Sequence, residues 1–217
     1  MINPPLGSLA SQNASLTIVV FDAKSATDWV PTKPAATKAQ FTGHPAEVMR
    51  GLARGEEVTA IDVGASGGYA FELEGKSGRL DVYRLAEGVF ALVAPPRDWW
   101  LEPARHGAYA VEVDALFAAA LAEDAAADDA TEVGPLELPS GKLAAVYLWH
   151  KKIGSARDLA STVPAAGALA FGDGYGSGNA GLIVDVGPGA YTLARRELEA
   201  PWDPAQALVV MYLTRDR

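Results

Sequence analysis

From Val58 to Val93 the chain passes repeatedly between short apolar segments and glycine turns, and this rhythm limits its fold more than any other feature. Val58–Val63, Tyr69–Leu73, Leu80–Leu85 and Val89–Val93 are each strand-length. Tyr69, Phe71 and Leu73 alternate with Ala70 and Glu72, the period of a half-buried strand. The separators are Gly64–Gly68, Glu74–Gly78 and Glu87–Gly88, short enough for hairpins, so the segment is expected to be an antiparallel meander.

The same texture returns after residue 130. Lys142–Trp149, Ala166–Phe171, Leu182–Val186, Ala190–Leu198 and Leu208–Leu213 are strand-like, with turns at Pro139–Gly141, Gly172–Gly178 and Gly187–Gly189. Leu16–Phe21 is a continuous β-branched and aromatic run, as in a buried strand. It and Leu208–Leu213 are expected to lie together in one sheet. Residues 1–14, rich in Pro, Gly, Ser and Asn, read as an extended arm, and residues 24–44 as an irregular excursion.

Helical spacing occurs twice. Pro45–Arg54 places Val48, Met49 and Leu52 on one face, with Pro45 in the first turn and Gly55 as the stop. Asp114–Ala127 is Ala-rich, with Asp114 as N-cap and Leu116, Phe117, Ala120 and Leu121 as its stripe. Glu123–Glu132 carries five acids and no base and reads as the helix end and an exposed linker. Helices do not alternate with strands, which argues against a parallel α/β sheet. The expected class is β-rich α+β: two antiparallel sheets, as a sandwich or half-barrel, with two short helices. Residues 1–130 form an N-terminal β-meander half and residues 131–217 a C-terminal antiparallel half, as two units or one compact domain. Ser25-Ala26-Thr27-Asp28-Trp29 resembles Ser155-Ala156-Arg157-Asp158-Leu159, and each is followed by a glycine-rich turn and a hairpin. Chance similarity and duplication of one β-unit both remain open.

Composition excludes several functions. The chain has no cysteine, hence no disulfide framework, thiolate metal site or cysteine nucleophile. Its 18 basic and 27 acidic residues give a net charge of −9. The bases are scattered, with Lys151-Lys152 and Arg195-Arg196 the densest spots, so neither nucleic acid nor an anionic membrane is expected as a partner. An acidic surface suits a basic protein partner. No apolar run has the length of a membrane helix. The first residues lack a basic stretch followed by a long apolar one, so a cytoplasmic location is expected.

Motifs that carry chemistry are present only in the wrong surroundings. Gly64-Ala65-Ser66-Gly67-Gly68 matches the G-x-S-x-G of serine hydrolases, but that chemistry needs a helix after the serine, and Tyr69–Leu73 alternates like a strand. Gly176–Gly181 matches G-x-G-x-x-G, yet a β-branched strand follows where dinucleotide binding needs a helix. His44, His106 and His150 are far apart, and no pair has metal-ligand spacing. No cofactor, metal or catalytic residue is assigned. Pro95-Pro96-Arg97-Asp98-Trp99-Trp100 is the most unusual run. Adjacent tryptophans in an extended chain point to opposite sides, so Trp99, Trp100 and Arg97 are the candidate binding residues.

Leu136-Glu137-Leu138-Pro139-Ser140-Gly141-Lys142-Leu143 and Val186-Gly187-Pro188-Gly189-Ala190-Tyr191-Thr192-Leu193 resemble, over residues 133–217, an uncharacterised bacterial family known only as a domain of unknown function. That family begins one strand with L-P-S-G-K and a later one with P-G-x-Y. Its acidic-proline continuation is replaced here by Ala144-Ala145-Val146-Tyr147. The resemblance implies a β-rich bacterial protein without established catalysis, a group that includes immunity proteins that neutralise toxins. Two functions follow: a non-enzymatic protein-binding module, of the immunity type, or a hydrolase or small-ligand enzyme with its site in a β-rich cleft.

Overall fold

The computed structural model describes residues 4–10, 16–30, 33–34, 41–73, 79–93, 119–121, 123, 130–148, 153–172, 179–200 and 203–216. Two six-stranded antiparallel sheets face each other. Sheet I contains β1 (Gly7–Ala10), β7 (Arg79–Ala86), β8 (Val89–Val93), β14 (Asp203–Arg215), β13 (Gly189–Ala200) and β9 (Thr131–Leu138), in that order. Sheet II contains β11 (Ala168–Gly172), β12 (Asn179–Asp185), β10 (Lys142–Tyr147), β2 (Leu16–Asp22), β6 (Gly68–Leu73) and β5 (Val58–Ile61). A small pair, β3 (Lys33–Pro34) with β4 (Phe41–Thr42), lies apart. The expected β-rich α+β architecture is therefore present.

Alternation along the strands sorts side chains into three apolar layers. Between the sheets lie Ile18, Val20, Phe71, Phe90, Leu92, Tyr191 and Met211, drawn from both sheets and both parts of the chain. Burying such a side chain contributes about 1.5–3 kcal/mol. The outer face of sheet II, including Val19, Phe21, Val146 and Ile183, is covered by a 3-10 segment (Ala23–Asp28), α1 (His44–Ala53) and α2 (Ser155–Ala160). The outer face of sheet I packs Tyr83, Val93, Val210 and Tyr212 around Leu121, from the helical residues 119–121. Tyr212 donates its hydroxyl to the Leu121 carbonyl at 3.2 Å.

Each sheet takes three strands from before residue 94 and three from after residue 130. Exchange of the two segments carries β1, β7 and β8 onto β9, β13 and β14, and β5, β6 and β2 onto β11, β12 and β10. The registers obey the same exchange. Gly7 stands opposite Val82, as Gly134 stands opposite Leu193; Leu9 opposite Leu80, as Leu136 opposite Tyr191. At the centre of sheet II β2 and β10 pair directly, with Val19 opposite Val146. The strand order of each sheet is thus unchanged by exchange of the two segments, and both segments contribute to one core. The junction near residue 130 divides the sequence but not the core.

Four expectations are corrected. Residues 7–10 are not part of an arm but the edge strand β1, and Leu9 is fully buried. Val58–Val93 is not one meander: β6 belongs to sheet II and β7 to sheet I, so the chain changes sheet between them. β2 and β14 lie in opposite sheets rather than together. Thr131 and Glu132, read as linker, begin β9. The helix expected at 45–54 is α1. The helix expected at 114–127 lies outside the described residues except at 119–121 and 123, which are helical.

Candidate functional site

Two concavities on the described surface have opposite chemistry. The first is a cleft of about 570 Å³ lined by Lys24, Thr27, Ser140, Lys142, Arg157, Ala160 and Ser161. It opens on the outer side of sheet II, where the 3-10 segment meets α2. Lys24 and Thr27 come from the 3-10 segment, Arg157 and Ala160 from α2, and Ser140 and Lys142 from the β9–β10 turn and the start of β10.

The two Ser-Ala-x-Asp segments pack against each other here. Ala26 and Ala156, equivalent positions, are both buried in the layer over sheet II. The small side chains permit the close approach, and Thr27 and Arg157, the next positions, then reach the same cleft. Asp22 fixes its floor. This carboxylate has no exposed surface and accepts the Lys24 amide at 2.9 Å and the Ser140 amide at 2.8 Å, joining segments 118 residues apart. Ser140 in turn accepts the Lys142 amide at 3.1 Å.

Lys142 pairs with Asp185 at 3.1 Å, across the β10–β12 ladder. Burial works to raise the Asp185 pKa, but the Ala166 amide at 2.8 Å and the Lys142 ammonium outweigh it, and the carboxyl sits below its usual value. Lys24 and Arg157 are exposed, and neither has a carboxylate within ion-pair distance among the described residues.

The second concavity is a groove of about 180 Å³ lined by Leu52, Gly55, Glu56, Glu57, Glu72 and Arg195. It is lined from α1, the turn before β5, β6 and β13. Arg195 bridges the sheets, at 3.2 Å from both Glu57 and Glu197. Arg54 lies 2.6 Å from Glu56, whose pKa is lowered mainly by hydrogen bonds from Arg54 and Thr59. Tyr69 donates to the Pro135 carbonyl at 3.1 Å, and burial together with the nearby Glu132 charge raises its pKa. Among the described residues Glu56, Glu57 and Glu72 line the groove with Arg195, Glu197 pairs with that arginine, Arg54 with Glu56, and Glu132 lies near Tyr69.

Trp99, Trp100 and Arg97, the binding residues singled out from the sequence, lie outside the described residues, as do His106 and His150. Ser66 closes a 3-10 turn, Gly64–Ser66, and β6 follows it, so the helix that a nucleophile elbow needs is not there. Residues 179–181 of the second glycine motif are in β12, again a strand in place of the required helix. His44 is buried at the start of α1. Its Nδ1 accepts the Val30 amide at 2.8 Å, and its ring lies 4.9 Å from that of Trp29, which stacks on Phe21. Those contacts make His44 a fastener between α1 and the segment before it.

Among the described residues no group of three or more His, Asp or Glu is placed to hold a metal ion, and no helix is long and apolar enough to cross a membrane. Comparison of the chain with known protein families, curated proteins and solved structures finds no match.

Proposed function

We propose that the protein is a non-enzymatic binding module of the bacterial immunity type, with a basic protein as its partner. The observation that carries this reading is the acidic groove. Glu56, Glu57, Glu72, Glu132 and Glu197 outnumber Arg54 and Arg195 in and around it, and Glu57 and Glu197 are well exposed. Like-signed charge along one edge steers an oppositely charged partner and makes association sensitive to salt. The net charge of −9 favours the same partner. Trp99, Trp100 and Arg97 supply the residue types that anchor protein interfaces. The resemblance of residues 133–217 to a bacterial family without established catalysis agrees with a binding role.

Affinity capture from the native lysate at low and high salt tests this, with two variants beside the parent. One replaces Glu57, Glu72 and Glu132 with Lys; the other is Trp99→Ala/Trp100→Ala. A stoichiometric basic protein retained at low salt, and lost with salt and with charge reversal, is the expected result. A partner held equally by the charge-reversed protein, or no partner at low salt, refutes it.

A further inference from the structure

The geometry points to a binding site for a small phosphomonoester in the cleft between the 3-10 segment and α2, with Lys24 and Arg157 as its principal ligands. The site is distinct from the acidic groove and does not depend on it.

The cations come first. In a chain with a large acidic excess, three basic side chains and no carboxylate side chain line one cleft among the described residues. Lys142 is already matched by Asp185 at 3.1 Å. The buried Asp22 carboxylate has each oxygen taken by a main-chain amide, Oδ1 by Lys24 and Oδ2 by Ser140. Lys24 and Arg157 are then the cations left facing the cleft. Lys24 and Arg157, the two cations at the cleft without an ion-pair partner among the described residues, can each contact an oxygen of a phosphate monoester, whose charge is about −1.5 to −2 at neutral pH. Arg offers a planar fork to two phosphate oxygens, Lys a compact point charge, and the Thr27 and Ser140 hydroxyls can donate to the others.

Positioning comes second. Asp22 holds the 3-10 segment and the β9–β10 turn together through the Lys24 and Ser140 amides, so the backbone that carries these two side chains is set before any ligand arrives. Ligand groups held in advance lose less freedom on binding. Volume comes third: about 570 Å³ exceeds the need of a bare phosphate and leaves room for a small organic group against Ala160. Finally, the repeat itself marks the place. Thr27 and Arg157 occupy the same position of the two Ser-Ala-x-Asp segments, so the guanidinium is present in one copy only.

Isothermal titration of the full chain with phenyl phosphate, and with benzoate at the same ionic strength, tests the assignment. Phenyl phosphate is expected to bind saturably and to raise the melting temperature. The Lys24→Ala/Arg157→Ala variant is expected to weaken binding by about tenfold or more, the loss of charge-assisted contacts at two cations. Both residues are exposed, and an unchanged circular dichroism spectrum shows that the variant is folded. Arg157→Lys should retain part of the affinity, and Arg54→Ala, at the other concavity, all of it. Absence of saturable binding to the parent overturns the proposal. So does undiminished binding to the double variant, or benzoate binding as tightly as phenyl phosphate.

Discussion

The basic cleft and the acidic groove are built on opposite plans, although both lie on the same pair of sheets. In the cleft, the exposed cations Lys24 and Arg157 stand over covered polar structure: Asp22 lies under them without exposed surface, and Lys142 and Asp185 are each only 20% exposed. In the groove, charge rests on the rim: Glu57 and Glu197 are 68% and 59% exposed, with Arg195 reaching between them. Exposed pairs are screened and contribute about 0–1 kcal/mol, whereas a buried carboxylate with all its hydrogen bonds made is costly to disturb. The cleft is thus suited to a fixed geometry, and the groove to a field. A small rigid ligand needs the first and a steered protein partner the second.

The largest expected effect tests the cleft's foundation. Asp22→Ala leaves the Lys24 and Ser140 amides without their partner and is expected to cost about 2–4 kcal/mol, read from urea denaturation. The same change should abolish the phosphate response. A loss below about 0.5 kcal/mol, within the range of an ordinary surface substitution, would remove the distinction between the two concavities.

Next in size is a glycine beneath the groove. Gly134 has φ +151, and a Cβ there would lie 2.4 Å from the Tyr69 hydroxyl. Gly134→Ala is expected to destabilise by about 1–3 kcal/mol through strain and overlap. Tyr69→Phe in the same chain removes the atom struck and should restore part of the loss. Its equivalent, Gly7, faces the Ala168 Cβ at 2.7 Å and a Leu182 methyl at 2.9 Å, which no hydroxyl deletion relieves. Gly7→Ala is therefore expected to resist rescue by Tyr69→Phe, separating the two edges of sheet I.

Much of this arrangement was legible in the residues, and the part that was not has a physical cause. Period-two alternation and continuous apolar runs between turns mark strands, so the β-rich class and the approximate positions of most strands followed from them. They carry no information about which sheet a strand joins. The passage from Leu73 to Arg79 therefore read as a hairpin, while β6 and β7 lie in different sheets. Four residues of Gly-Ser-Leu-Ala are too few to show a period, which concealed β1. The repeat was visible at Ser25–Trp29 and Ser155–Leu159, the two segments that meet at the cleft. The cleft itself was not, because Lys24 and Arg157 belong to distant segments and only the fold brings them to one place. The available signal was Asp22, an acid ending an otherwise apolar buried strand.

Acid and alkali should act on different parts of the molecule. The folded Asp185 pKa lies below its usual value of about 3.9, so its share of stability is complete above that pH and is lost as the pH falls through the folded value. Asp185→Asn should flatten the acid limb of a stability profile. Tyr69 and Tyr191 are shifted the other way. Burial raises both, although Arg215 and Arg84 oppose it at Tyr191, whose hydroxyl lies 2.5 Å from the Val186 carbonyl. The unfolded chain gives up these protons first, so stability should decline above about pH 10. Tyr69→Phe should delay that decline if the groove side opens first. No effect would assign the alkaline limb to Tyr191 and the core.

The smallest effects give the finest comparison, because they set one ion pair of each concavity against the other. A double-mutant cycle on Lys142→Met and Asp185→Asn measures the cleft pair; one on Arg195→Met and Glu57→Gln measures the groove pair. Methionine keeps most of the apolar stem in both cases, so packing largely cancels. The coupling is expected to be about 1 kcal/mol for Lys142–Asp185, where both partners are mostly covered and the carboxylate also holds the Ala166 amide. For Arg195–Glu57 it should be about 0.3 kcal/mol and vanish in high salt, since Glu57 is solvated and Glu197 takes over the guanidinium. Equal couplings with equal salt dependence would mean that depth does not separate the two sites. The groove would then be as rigid as the cleft, and its carboxylates would act by placement rather than by field.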